Sequence, residues 1–172
     1  SGNLSSFAVD AAGNLYVSDY NNIYVLDAEG SVQFKLDGSQ YSGSLSRLNA
    51  QQVGVMWYNY TDDVNAADEN GQYFVPIDLE TKDWGEKVKL PSNVWSIFPG
   101  DDAYDFYYTY NNNIYGYTAK TDTKEKLVDW LACDVDTNNM NGYAMLSDSR
   151  VAALMQDWNT DPTTYQLIVL HR

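Results

Sequence analysis

Phe7-Ala8-Val9-Asp10-Ala11-Ala12-Gly13-Asn14-Leu15-Tyr16-Val17-Ser18-Asp19-Tyr20-Asn21-Asn22-Ile23-Tyr24-Val25-Leu26-Asp27-Ala28-Glu29-Gly30 reads as a run of β-hairpins. Apolar and β-branched residues alternate with polar ones in segments of four or five, the period of a strand with one buried face. Between the segments stand residues that tolerate positive φ: Gly13-Asn14, Asn21-Asn22 and Gly30. A strand over 5–10, a second over 15–19, a third over 24–27 and a fourth over 31–36 make a four-stranded antiparallel meander.

The same pattern returns along the chain. Third-strand segments occur at 24–27, 74–78, 114–118 and 167–171, spaced by about 51, 40 and 53 residues. Repeats of that length belong to propeller blades, and a sandwich does not repeat in such units. Second strands precede them at 53–58, 103–110 and 151–157, and first strands at 45–49, 94–99 and 143–147. Fourth strands fit 87–90 and 126–131, but the last repeat has none. Helix signals are nearly absent; the one candidate, 125–133, contains Lys126 to Leu131, which equally suits an outer strand. The expected fold is all-β, with about four β-propeller blades over 4–38, 44–91, 93–133 and 142–172 in a single domain or fragment.

The segment Asp10-x-x-Gly13-Asn14-Leu15-Tyr16-Val17-x-Asp19 resembles the repeat of NHL-type propellers, which have six to eight blades. The whole chain also resembles the propeller region that precedes the solute-binding domain of Gram-positive extracellular solute-binding lipoproteins, with Tyr165 to His171 similar to the strand before that domain. That resemblance implies a module facing outward on a lipoprotein linked to an ABC importer, at the cell surface or outside it. The solute-binding lobes are not in this sequence.

Composition narrows the function. Ten Lys and Arg against 24 Asp and Glu give a formal charge of −14, which repels nucleic acid and anionic lipid. Hydrophobic residues make up 44 % and aromatic residues 15 %, too many for a disordered chain. No stretch is long and apolar enough to insert in a membrane. The chain begins Ser-Gly-Asn-Leu without methionine, as expected of a fragment or processed chain, so a missing signal peptide excludes nothing. The single cysteine, Cys133, cannot close an internal disulfide and is expected to be a buried, inert thiol.

Catalytic constellations are poor. His171 is the sole histidine and sits one residue from the end; a hydrolytic triad needs an oriented imidazole. Asp62-Asp63, Asp68-Glu69 and Asp101-Asp102 are adjacent turn acids, not carboxyls facing each other across a cleft. Asp134, Asp136 and Asn138 alternate as the oxygens of a calcium loop do, but Asn139 and Met145 replace the glycine and bidentate glutamate of an EF-hand. No cofactor is expected, with Ca²⁺ at that loop the one metal considered.

The feature that recurs in all four repeats is an aromatic residue followed by asparagine, where the second strand turns into the third. The pairs are Tyr20-Asn21, Tyr58-Asn59, Tyr110-Asn111 and Trp158-Asn159. On one face of a propeller they would offer flat rings and amide groups to a sugar or peptide. Alternatively, asparagine serves positive φ and the ring packs on a neighbouring blade. The loop over 59–72 is longer than its counterparts. The five tryptophans are expected between blades, with at most Trp84 and Trp158 exposed.

These readings converge on a non-catalytic extracellular binding or scaffolding module. The alternative is a propeller-type carbohydrate-active enzyme, a lyase or glycosidase with a central-channel site. Because the fourth blade lacks an outer strand, and residues 1–4 are too short to donate one, the chain is expected to be half of a larger propeller, completed by a protein partner or a second copy.

Overall fold

The computed structural model describes residues 4–19, 21–66, 69–111, 113–146, 150–160 and 162–170. Tyr20, Asp68 and His171, which the sequence reading singled out, lie outside them. The fold is all-β, built from four small antiparallel sheets of the propeller-blade type. The chain packs as two compact units, Ser1–Val94 and Trp95–Arg172, with two sheets in each.

The first unit opens with β1 (Ser6–Val9), β2 (Leu15–Ser18), β3 (Asn22–Leu26) and β4 (Val32–Asp37), paired in that order. Its turns are locked by aspartate. Asp10 Oδ1 accepts the amides of Ala12 and Asn14, each at 2.9 Å. Its Oδ2 accepts Asn14 Nδ2 at 2.8 Å and the Tyr16 hydroxyl at 3.1 Å. Gly13, at φ 88°, lets the chain reverse inside this bracket. Asp27 repeats the device, accepting Glu29 N, Ser31 N and Gln33 Nε2, with Gly30 at φ 84°. The Asp-x-x-Gly motif is therefore a turn lock.

The second sheet contains β5 (Leu45–Arg47), β6 (Val53–Asn59) and β7 (Gly71–Asp78). On the other edge of β7 lie two short pieces, β8 (Asp83–Trp84) and β9 (Val88–Lys89). β9 falls inside the fourth strand expected over 87–90, β8 before it was not expected, and Pro76 separates the two. Proline has no N–H to give the ladder, so opposite it Gly85 N donates to Pro76 O at 2.8 Å, and pairing resumes only on either side. Tyr16, Ile23, Val25 and Leu36 of the first sheet pack against Leu45, Val53, Val55, Tyr73, Val75 and Ile77 of the second.

The second unit holds β10 (Ser96–Pro99), β11 (Phe106–Tyr110), β12 (Asn113–Thr118) and β13 (Thr123–Asp129), again paired in sequence. The helix alternative for 125–133 gives way to β13, which pairs with β12 from Thr118↔Thr123 to Asn113↔Asp129. β14 (Met140–Met145), β15 (Val151–Asp157) and β16 (Thr164–Leu170) form a three-stranded last sheet. Here the first strand begins at Met140, three residues before the sequence reading put it. Its apolar face, with Val151 and Ala153 at the centre, packs against Ile114, Val128, Trp130 and Val135.

Two expectations fail. Cys133 is exposed, because the turn after β13 carries it outward while its backbone N–H bonds Asp129 O and Trp130 O. Among the tryptophans, Trp84 is half-buried against Tyr41, with ring centroids 5.1 Å apart, whereas Trp95 is exposed. No helix among the described residues is long and apolar enough to cross a membrane.

Candidate functional site

The aromatic–asparagine turns separate into two kinds of residue. The rings face solvent: Tyr58 is 62 % and Trp158 66 % exposed. Tyr110 is half-buried and packs edge-on against Trp95, with ring centroids 5.9 Å apart and an interplanar angle of 82°. Trp95 is itself 57 % exposed, so this turn presents two aromatic side chains rather than one. Each aromatic stands within one residue of the end of the second strand of its own sheet, the same end in the second, third and fourth sheets.

The asparagines mostly serve the backbone. Asn111 takes the left-handed conformation at φ 46°, which asparagine tolerates better than most residues. The Asn21 and Asn159 amides donate to Asp19 Oδ1 at 3.2 Å and Asp157 Oδ1 at 2.9 Å. Asn59 Nδ2 donates to Glu69 O at 2.9 Å, pinning the long loop. The loop is further tied by Thr61 N to Asn70 Oδ1 at 2.6 Å and Asn70 Nδ2 to Thr61 O at 3.1 Å. It carries Tyr60, exposed, whose hydroxyl donates to Asp62 at 2.7 Å. That hydrogen bond to a carboxylate holds the Tyr60 hydroxyl above its ordinary pKa.

The adjacent acids are turn residues too. Asp63 Oδ1 accepts Asn65 N at 2.9 Å. Asp101 accepts Ala103 N, Tyr104 N and the Tyr107 hydroxyl. In the calcium-like loop, Asp136 caps the 3-10 turn Thr137–Asn139, its carboxylate accepting Asn138 N and Nδ2, both at 2.9 Å, and Asn139 Nδ2 at 3.2 Å. Asn138 thus turns its amide donor, not its oxygen, toward Asp136. Among the described residues no three His, Cys, Asp or Glu side chains converge as a metal site. Asp134 and Asp136 do line a cleft of about 430 Å³, together with Asp157, Asn159, Thr164 and Gln166.

A second cleft, of about 380 Å³, lies at the start of the first strands of the first unit. Ser5, Ser6, Ser18, Ser42 and Ser44 line it with Tyr41. Ser5 Oγ donates to the Ser18 carbonyl at 3.1 Å, and Ser6 Oγ accepts Leu45 N at 3.1 Å. Sequence reasoning missed this cleft, because its hydroxyls are scattered along the chain and no local motif joins them. It also missed Trp95 and Tyr60, whose sequence contexts do not differ from those of packed aromatics.

The electrostatic outlier is the buried Asp10–Tyr16 pair. Burial alone would raise the Asp10 carboxyl, but the donors from Asn14, Tyr16 and Ala12 outweigh it and hold it below the usual aspartate value. Burial, together with the Asp10 charge, pushes the Tyr16 hydroxyl well above its ordinary value. Both groups face inward at a turn and hold the fold.

No family model matches the chain, and no curated protein matches it. Among solved structures it is similar to Kuenenia stuttgartiensis hydrazine synthase, with a TM-score of 0.50 at 12 % identity, covering 96 % of this chain and 49 % of that one. It also resembles the extracellular domain assigned to a hybrid two-component system of B. thetaiotaomicron, with a TM-score of 0.48 at 14 % identity, covering 98 % of this chain and 22 % of that one. A further structure of that extracellular domain, described as a one-component system, gives 0.45 at 14 % identity, over 99 % of this chain and 22 % of that one. The chain therefore spans half or less of the length of these neighbours, and what it shares with the first of them is a fold.

Proposed function

We propose that this chain is a non-catalytic binding and scaffolding module that works outside the cell, and that it contacts a sugar or peptide through the aromatic residues at its second-to-third-strand turns. The contact residues are Tyr58, Tyr110 and Trp158, with Trp95 beside Tyr110 and, by its place in the repeat, Tyr20. The observation that carries this reading is the exposure of Tyr58 and Trp158 at corresponding turns. A large ring left in water contributes little to folding and offers a flat apolar surface to a ligand. The carboxylates that an enzyme would use, such as Asp101 and Asp136, are already engaged by turn donors.

The finer setting follows the sequence resemblance: a propeller segment of an outward-facing lipoprotein that serves an ABC importer. Within it, the four blades are half of a larger propeller, since the last sheet has three strands and both terminal sheets leave an apolar face open.

Glycan and peptide arrays, followed by calorimetry on the best ligand, test the binding reading. Tyr58→Ala and Trp158→Ala should each weaken that ligand by about tenfold or more, the loss typical of an aromatic anchor. Unchanged affinity in both variants overturns the assignment of these turns as the contact surface.

A further inference from the structure

The packing between the third and last sheets is closed at one end and open at the other. Register puts Val151 with Leu170, Ala153 with Ile168, Met155 with Gln166 and Asp157 with Thr164 on one face of the last sheet. Val151 and Ala153 close that face against Ile114, Val128, Trp130 and Val135. Further along β15 the same face turns polar, and the cleft of about 430 Å³ opens there. That volume is ordinary for a small-ligand site, roughly 300–1,000 Å³. Met155 and Ile168 give the cleft an apolar part, and the segment over 134–139 forms its other wall. Buried Val135 anchors that wall and leaves Asp134 and Asp136 exposed on either side of it.

The lining limits what can enter. Asp134, Asp136 and Asp157 contribute three carboxylates, and no Lys, Arg or His is among the described residues that line the cleft. An anionic ligand would meet like charge with nothing to offset it. A metal ion needs its ligands to converge on one point, and among the described residues no three acidic side chains do so. The acceptors stand on both walls instead, Asp134 and Asp136 on the loop and Asp157 on the sheet. Spaced acceptors suit a ligand with several donors.

Donors are present as well. Gln166 and Asn159 bring amides and Thr164 a hydroxyl. Among the described residues the Asp134 carboxylate and the Gln166 amide have no protein partner, whereas Asp136 and Asp157 already accept turn amides. A hydroxyl rotates, so it can donate to a carboxylate and accept from an amide at once. A peptide backbone divides those roles between groups of fixed direction. A sugar ring carries several hydroxyls, together with a C–H face that packs on an aromatic ring. Tyr165 lines the cleft and is 59 % exposed; Trp158, 66 % exposed, stands between two lining residues, Asp157 and Asn159.

We infer that this cleft is a saccharide subsite, which takes an uncharged sugar ring of an oligosaccharide between the Asp134 wall and Gln166, with Trp158 and Tyr165 at its rim. This rests on the binding role proposed above and assigns its ligand class, the sugar, to the last sheet.

Calorimetry on the full chain with hexamers of glucose, mannose, galactose and xylose tests the assignment. Oligogalacturonate, hexalysine and Ca²⁺ serve as the charged probes. At least one uncharged hexamer should bind with a Kd below about 1 mM, and oligogalacturonate should not bind. Gln166→Ala and Asp134→Ala should each weaken that hexamer by about five- to tenfold. Asp134→Asn should keep most of the affinity, since its amide oxygen still accepts a hydroxyl. All three sites are exposed, so the variants should keep the parent circular dichroism spectrum. A hexamer whose binding falls in Trp158→Ala but not in Gln166→Ala or Asp134→Ala overturns the cleft and leaves the aromatic turns. A hexamer indifferent to Trp158→Ala and Tyr58→Ala as well overturns both. Binding of hexalysine or Ca²⁺ that Asp134→Asn abolishes, with no hexamer bound, overturns the sugar, and so does a full set of probes that leaves the protein unbound.

Discussion

β7 and β16 are both third strands of their sheets, and in sequence they are near twins. Gly71-Gln72-Tyr73-Phe74-Val75-Pro76-Ile77-Asp78 and Thr164-Tyr165-Gln166-Leu167-Ile168-Val169-Leu170 are each a short apolar run. Their surroundings are opposite. From Tyr73 to Ile77 every residue of β7 is buried, on both faces, whereas no residue of β16 is fully buried and Tyr165, Leu167 and Val169 are exposed. A strand's own residues thus state that it is apolar, while its position in the series of blades states whether that surface is used. The surplus on β16 is apolar surface that its own sheet and the third sheet leave uncovered.

The largest test of this contrast compares deletions in the two strands. Phe74→Ala should cost about 3–5 kcal/mol, as for a large side chain removed from a closed core. Leu167→Ala should cost less than about 1 kcal/mol to the fold itself. Urea unfolding of the two variants measures both losses. Equal losses would mean that β16 is packed after all.

Glycine substitutions sharpen the contrast at backbone level. A Cβ on Gly54 would sit 2.1 Å from Val75 O and 2.7 Å from Pro76 Cα, where nothing can give way but the strand itself. A Cβ on Gly142 in the last sheet would meet nothing within 4 Å. Gly54→Ala should therefore cost about 2–4 kcal/mol, and Gly142→Ala should change stability by no more than about 0.5 kcal/mol. Melting temperatures of the two variants decide the matter.

Next in size is the turn lock at Asp10. Its carboxyl titrates below its ordinary value in the folded state, so its ionised form stabilises the fold. That contribution is complete above the unfolded aspartate pKa and fades as pH falls through the lower folded value. Tyr16, whose folded pKa is raised, contributes stability that is present below the unfolded tyrosine pKa and is lost as pH rises beyond it. Asp10→Asn should cost about 1–3 kcal/mol at neutral pH and flatten the acid limb of a stability–pH curve. An unchanged acid limb would show that the loss of stability at low pH arises elsewhere. The corresponding cap at Asp136 is exposed, so Asp136→Asn should cost under about 1 kcal/mol. The smallest effect belongs to Tyr58→Ala and Trp158→Ala, which should alter unfolding by less than about 0.5 kcal/mol while weakening ligand binding by about tenfold or more.

Much of the architecture was written locally. Alternation over two residues, with glycine and asparagine between the segments, located three strands in every sheet and a fourth in the first three. It erred where a local rule met a distant partner. In the second sheet β9 was found but β8 was not, because Pro76 on the neighbouring strand lacks a donor and interrupts the pairing between them. Cys133 is apolar enough for a core, yet the turn after β13 places it outside. The acidic composition, from which no nucleic-acid partner is expected, has a structural origin as well. Asp10, Asp19, Asp27, Asp37, Asp78 and Asp101 each accept backbone amides of their own turns, so part of the negative charge is the cost of so many tight reversals.

The candidate site was legible only as a repeat. The four aromatic–asparagine pairs were visible because equivalent turns recur, but their chemistry was not divided in the sequence. Tertiary structure assigns the asparagines largely to turn geometry and leaves Tyr58 and Trp158 to solvent. The serine-lined cleft, the Trp95–Tyr110 pair and the two bare faces depend on residues that meet only after the sheets form. Sequence alone determined that this chain folds as antiparallel hairpins in blade-sized repeats, because strand period and turn residues act over a few neighbours. Which of its apolar surfaces are closed and which stay open was decided by packing between sheets, because burial belongs to pairs of distant faces and not to any one strand.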